Sequence, residues 1–259
     1  MSRPLLLVRP DAEKAARAAA RLAADALRSG GRSGGLLGLA TGATMVPFYR
    51  ALADALGGRL RPSRGVVGVT LDEFVGLAPG HPASFAAYLD RHFRKALALG
   101  PGAVVVPDGA SADRAAAAAR HEAAIAEAGG VELQLLGLGR NGHIGFNEPG
   151  SPFESRTRDV SLEPRTRAAQ AAAFGGLANV PERAITAGVA TILEARRLLM
   201  LVTGRDKAEA LAAALEGPVG PHCPASALRR HPDATVICDA AAASRLSAAF
   251  PRAPEVEPC

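Results

Sequence analysis

The residues best placed to do chemistry fall in one short stretch, Leu135–Gly150, LLGLGRNGHIGFNEPG, where Asn141, His143 and Glu148 stand among glycines directly after an apolar run. Gly137, Gly139 and Gly142 permit tight backbone turns there. One polar partner can fix one imidazole nitrogen of His143 while the other nitrogen handles a proton. A second cluster, Asp72-Glu73, follows the apolar run GVVGVTL with no basic residue beside it in sequence. A carboxylate at the mouth of an apolar pocket has a raised pKa and can remove a carbon-bound proton, although an N-cap or Asx-turn role is the commoner use of such a pair. Thr41-Gly42-Ala43-Thr44 sits where a strand passes into a helix. Free backbone N–H groups, two hydroxyls and the positive end of the helix favour a phosphate at such a turn, and a Thr acting as N-cap is the alternative. The segment lacks the spacing and the Lys of a P-loop. Lys207 is expected in the first turn of its own helix, where a cation opposes the helix dipole. A bound anion accounts for that placement, and so does a solvated face.

These four clusters share a position. Apolar runs at 5–8, 35–40, 65–71, 103–107, 131–139, 196–204 and 233–239 alternate with Ala-rich helical patterns at 12–31, 45–58, 83–97, 111–130 and 205–217. Continuous rather than alternating Val/Leu/Ile runs, each followed by a helix, predict a parallel sheet covered on both faces. The fold class expected is α/β, a single-domain, doubly wound, mostly parallel sheet. Ligands bind outside the carboxyl ends of strands in such sheets, where the polar clusters fall. Residues 1–250 are read as one domain without repeat or linker, and the Pro-rich residues 251–259 as a flexible C-terminal tail.

At 259 residues, 48% of them hydrophobic, the chain can bury a large core. The net charge of +5 comes from scattered arginines, and without Trp and with two Tyr there is no basic run interleaved with aromatics. Nucleic-acid binding is therefore not expected. The four-residue apolar run LLLV is too short for an export signal or a membrane span. Cys223, Cys238 and Cys259 are too few and too scattered for a disulfide framework, which points to reduced thiols in a cytoplasm. No second His or Cys stands at ligand spacing from His143, so no metal site is expected.

The segments TLDEFVGL, HPASFAAYL, GLGRNGHIGFNEPGS, SRTR, AITAGVATILEAR and HPDATVICD, in that order between Leu36 and Asp239, resemble the glucosamine-6-phosphate deaminase (isomerase) family. The resemblance implies conversion of glucosamine 6-phosphate and water into fructose 6-phosphate and ammonia, with no metal or organic cofactor. It casts Asp72 as the base that moves a proton from C2 to C1 and His143 as the residue that assists ring opening. Asn141 and Glu148 become the supporting pair of that histidine, and Thr41, Gly42, Ala43, Thr44 and Lys207 the phosphate site. The implied partner is a small amino-sugar phosphate. Members of the family range from monomers to hexamers, so a homo-oligomer is within the expectation.

Several positions depart from the family pattern. Asn141 stands where many relatives carry Asp, and an amide cannot balance an imidazolium charge. Ala43 replaces a Gly. Ala172 falls where a phosphate-binding Arg is expected, which leaves Arg165 or Arg167 to compensate. Val160 replaces the Lys of the usual activator site, so that site is expected to be absent. Two rival readings follow: a catalytically silent sugar-phosphate binder, motivated by Ala43 and Ala172, and a 6-phosphogluconolactonase-like hydrolase, whose loop lacks the N-E-P continuation.

Overall fold

The computed structural model describes residues 3–29, 36–58, 65–78, 80–248 and 250–251. Its strands are β1 (Leu5–Arg9), β2 (Leu36–Leu39), β3 (Gly68–Thr70), β4 (Asp72–Phe74), β5 (Val104–Val105), β6 (Val131–Leu136), β7 (Arg158–Ser161), β8 (Arg183–Thr186), β9 (Arg197–Val202) and β10 (Ala234–Asp239). The helices are α1 (Ala12–Ser29), α2 (Met45–Ala55), α3 (Phe85–Leu89), α4 (Arg114–Glu127), α5 (Pro164–Gln170), α6 (Val189–Leu193) and α7 (Ala208–Glu216). Seven strands form one parallel sheet in the order β1-β10-β9-β6-β2-β3-β5. The apolar runs of β2, β6, β9 and β10 are almost wholly buried, as continuous hydrophobic strands between two helical layers must be. Helix α1 presents buried alanines at spacings of three and four (Ala16, Ala19, Ala20, Ala23), short side chains that let it approach its neighbours closely.

Chain order reverses between β2 and β6, which are adjacent: β2 leads outward through β3 to β5, and β6 leads through β9 and β10 to β1. The crevice at such a reversal is where doubly wound sheets bind ligands. The loops that leave β2 and β6 are Thr41–Thr44 and the Gly137–Glu148 segment.

A second, three-stranded antiparallel sheet, β4-β8-β7, went unread in the sequence. Asp72-Glu73 is thus not a loop cluster. The chain leaves β3, passes through Leu71, whose N–H is held by the Leu39 carbonyl (3.3 Å), and at Asp72 enters the small sheet. Strand and loop compete closely in a three-residue element with two adjacent acids, and pairing with β8 decides the outcome. Behind the small sheet, Phe74, Phe85, Phe146 and Phe174 pack with centroids 4.8–5.8 Å apart. Val160 packs against this cluster from β7.

Two helix readings are corrected. The pattern at 83–97 is a short α-helix continued by a π-helical turn, Asp90–Arg94. Lys207 is not in the first turn of an α-helix: it closes a 3₁₀ turn, Arg205–Lys207, and caps α7. Cys223 and Cys238 are both buried. Cys259 and residues 252–259 of the expected tail lie outside the described residues. No helix among the described residues is long and apolar enough to cross a membrane.

Candidate active site

An open cleft of about 1460 Å³ lies over the carboxyl ends of β2, β3, β6 and β9. Asp72, Asn141 and His143 line it, as do Thr41, Gly42, Ala43, Thr44 and Lys207. All four predicted clusters therefore meet on one cavity. Glu148 stands just behind, in contact with the first group.

Asp72 is 6% exposed, and its carboxylate accepts no hydrogen bond and joins no ion pair among the described residues. Burial, and then the neighbouring charge of Glu73, push its carboxyl up to about 8. Gly145, at φ +56°, faces it: a Cβ there would lie 3.3 Å from Asp72 Oδ2 and 3.1 Å from Thr186 Oγ1, so any larger residue would crowd the acid as well as strain the backbone. Glu73 behaves differently. Its carboxylate accepts the backbone N–H groups of Phe74, Phe85 and Ala86 (2.9–3.1 Å), holding the first turn of α3. The capping alternative read for this acidic pair thus describes Glu73, and the exposed-to-cleft alternative describes Asp72.

His143 lies over Gly139, where a Cβ would fall 2.4 Å from the imidazole; only glycine lets the ring sit there. Its Nδ1 is 3.3 Å from Glu148 Oε2, a contact too poorly aligned to count as a hydrogen bond. Asn141 does not grip the ring as expected. Its Oδ1 accepts the His143 backbone N–H (3.3 Å) and its Nδ2 donates to Glu148 Oε2 (2.7 Å). Thr166, on α5, donates to Glu148 Oε1. Burial opposes the Glu148 charge, but the His143 ring, Thr166 and Asn141 together hold its carboxyl below the usual glutamate value. An Asp at position 141 would confront Glu148 with a second acid, so the amide is a consistent member of this arrangement.

Thr166 and Asn147 are contributors that sequence reasoning missed. Asn147 is fully buried: Nδ2 donates to the carbonyls of Ile144 (3.0 Å) and Ala187 (2.8 Å), and Oδ1 accepts from Arg158 (2.9 Å). It clamps the His143 loop to the end of β8. The signal that could have found it is an Asn closing the apolar run Ile144–Phe146, directly before Glu148.

The opposite wall is built from the end of β2. Gly42 has φ +104°, and the backbone N–H groups of Thr41 to Thr44 find no acceptor among the described residues. Thr44 makes no side-chain cap; its hydroxyl lies 3.3 Å from that of Thr203. The capping alternative therefore fails for this Thr. Lys207 makes no ion pair among the described residues, because Asp206 is taken by Arg140 (2.8 Å). Burial holds its ammonium below the usual lysine value, with the Arg140 charge adding to that and Asp206 opposing it.

Of the two arginines offered for the missing one, Arg165 lines the cleft and has no carboxylate partner among the described residues. Arg167 is turned away, donating to the Val180 carbonyl (2.9 Å) and facing Glu182 at 3.8 Å. Ala172 does not line the cleft; Ala173 does.

Comparison with known proteins places this geometry. The family profile of glucosamine-6-phosphate isomerases/6-phosphogluconolactonase matches residues 10–237. A glucosamine-6-phosphate deaminase of Pseudarthrobacter chlorophenolicus is 50% identical over 214 residues, covering 83% of this chain and 82% of the relative. One from Streptomyces avermitilis is 50% identical over 216 residues, with 83% and 82% covered. The solved structure of a monomeric glucosamine-6-phosphate deaminase superposes with a TM-score of 0.87 at 38% identity, covering 93% of this chain and 99% of that one. A 6-phosphogluconolactonase of Trypanosoma brucei shares the fold, with a TM-score of 0.76 at 21% identity over 95% and 100% of the two chains. The chain belongs to the glucosamine-6-phosphate isomerase/6-phosphogluconolactonase family.

Proposed function

We propose that this protein deaminates glucosamine 6-phosphate, releasing fructose 6-phosphate and ammonia with consumption of one water, as a cytoplasmic enzyme of amino-sugar breakdown. It acts through one domain spanning residues 1–250, with 251–259 outside the reaction. The observation that carries the reading is Asp72, a buried carboxyl without hydrogen-bond or cationic partner among the described residues, pushed up to about 8 at the wall of a cleft. A base of that strength can take a proton from carbon near neutral pH and give it back.

In this reading His143 assists opening of the pyranose. Glu148 sits at one ring nitrogen, and the other is left to exchange a proton with the ring oxygen or the anomeric hydroxyl. Asn141 and Thr166 keep Glu148 ionised and in place. Asp72 then removes the C2 proton of the open-chain amino aldose and delivers it to C1, while O1 gains a proton and the amine nitrogen gives one up. The resulting imine at C2 takes up water and expels ammonia. Thr41 to Thr44 and Lys207 hold the phosphate. Each step is a proton transfer, an addition of water or the departure of ammonia, so the chemistry asks for no metal or cofactor. Glu148, with its three polar contacts, favours the deaminase over the lactonase, whose loop lacks the N-E-P continuation.

The test is direct. Protein dialysed against a chelator should release ammonia and fructose 6-phosphate in equal amounts from glucosamine 6-phosphate. Phosphate-competitive binding without turnover would favour a silent binder, and hydrolysis of 6-phosphogluconolactone in its place would favour the lactonase.

A further inference from the structure

The chain has two tyrosines, and both hydroxyls are spent on the loop that leaves β2. Tyr49, buried on α2, donates to the Ala40 carbonyl at 2.6 Å. Tyr88, on α3 and lining the cleft, donates to the Gly42 carbonyl at 2.8 Å. Their rings meet edge to face, 6.4 Å apart. Burial holds both phenols above the usual tyrosine value, so both remain donors at any ordinary pH.

The Gly42 peptide is the point in this loop most free to turn over, because glycine at φ +104° has no side chain to forbid the alternative orientation. Its carbonyl is fixed by two donors, the Met45 N–H at 3.0 Å and the Tyr88 hydroxyl. The Ala43 carbonyl accepts the Val46 N–H (3.3 Å). The Gly42 and Ala43 carbonyls are thus occupied while, among the described residues, the N–H groups of Thr41 to Thr44 find no acceptor, and a flipped peptide would put a lone pair where an anion needs a donor. Tyr88 also comes from the helix whose first N–H groups hold Glu73, next to Asp72. The hydroxyl therefore ties the anion loop to the segment that carries the base.

We propose that Tyr88 is a positioning residue for substrate phosphate: its hydroxyl locks the Gly42 peptide so that the N–H groups of Thr41 to Thr44 converge on a phosphoryl group, at a set distance from Asp72. This deepens the deaminase reading and rests on it for the identity of the sugar, but its core claim concerns phosphate alone. Tyr88→Phe keeps the ring contacts with Tyr49 and His92 and removes only the hydroxyl. Calorimetric titration with inorganic phosphate should show roughly three- to tenfold weaker binding in the variant, the scale of one lost hydrogen bond. The KM for glucosamine 6-phosphate should rise by the same factor, with kcat and the pH midpoint of kcat/KM unchanged. A ring that merely packs would leave phosphate affinity unmoved. Equal phosphate binding in the two proteins overturns the proposal, as does a fall in kcat at constant KM, or a parent protein that does not bind phosphate. A parent that binds phosphate but leaves glucosamine 6-phosphate intact would fail the deaminase reading while leaving this one to be decided by calorimetry.

Discussion

The two walls of the cleft solve opposite problems. On the wall formed by β4 and the His143 loop, Glu148 and Asn147 are buried and have their hydrogen-bonding capacity met by protein: Asn141, Thr166, Arg158 and two carbonyls are committed before any ligand arrives. On the wall formed by the end of β2 and the start of α7, four backbone N–H groups and the Lys207 ammonium are uncommitted among the described residues. Buried polar groups are costly unless paired, so a wall that must hold a carboxylate and an imidazole in fixed register pairs them internally. A wall that binds a dianion can leave its donors to water, because the ligand supplies the partner. Asp72 is the exception on the first wall. It is buried and, among the described residues, unpaired, and that anomaly is what makes it basic.

Removing the anomaly should have the largest effect. Asp72→Asn preserves shape and deletes the base, so kcat for ammonia release should fall by about a hundredfold or more, the usual range for such groups. KM should change little, because the phosphate wall is untouched. Near-normal turnover in this variant would remove Asp72 from the mechanism and reduce the contrast between the walls to one of burial.

On the other wall the expected pattern reverses. Lys207→Ala deletes a cation with no internal partner among the described residues and with it a charge-assisted contact worth about 1.5–3 kcal/mol, so KM should rise by roughly ten- to a hundredfold while kcat holds. A loss confined to kcat would place Lys207 among the reacting groups instead. Arg165 sharpens the same point at smaller scale, being exposed and on the rim. Arg165→Ala should raise KM several-fold, on the order of 1 kcal/mol, and Arg167→Ala should not, since that guanidinium faces Val180 and Glu182. Equal effects from the two would mean that net charge, rather than a contact, supplies the missing arginine.

The wall that binds was easier to read from sequence than the wall that reacts. A Thr-Gly turn between an apolar run and a helix, and a Lys just after another strand, are local patterns, and the long β6, β9 and β10 runs made the parallel sheet legible. The small sheet was not, because β4, β7 and β8 are three or four residues long, and β4 finds β8 only across more than a hundred positions of chain. With it went the true setting of Asp72, the split between Asp72 and Glu73, and the clamp by Asn147. Thr166 was invisible for a related reason: in SLEPRTRAAQ the arginines attract attention, and only the fold shows that the hydroxyl between them meets Glu148. The role of Asn141 was half legible. Proximity to His143 was clear, but which atom it served required coordinates.

The smallest effect concerns stability and follows from the same unpaired acid. Because Asp72 titrates near 8 in the folded chain and near 3.8 when exposed, the native state holds a proton between those values that the unfolded chain has released. Its contribution is therefore favourable when protonated, and stability falls as pH rises from about 4 to about 8. Glu73, also raised by burial despite its three N–H donors, adds a slope of the same sign that stays in the variant. Asp72→Asn carries an amide that never ionises, so it should melt higher than the parent at pH 8.5 and close to it at pH 5. The gap should open steadily with pH in thermal melts of the two proteins side by side. A gap that is constant across pH would mean that the carboxyl is solvated in the folded chain and that its basicity must come from bound substrate. A gap that opens as expected, in a variant without activity, would show the protein giving up stability at the one position where the reaction needs an unpaired base.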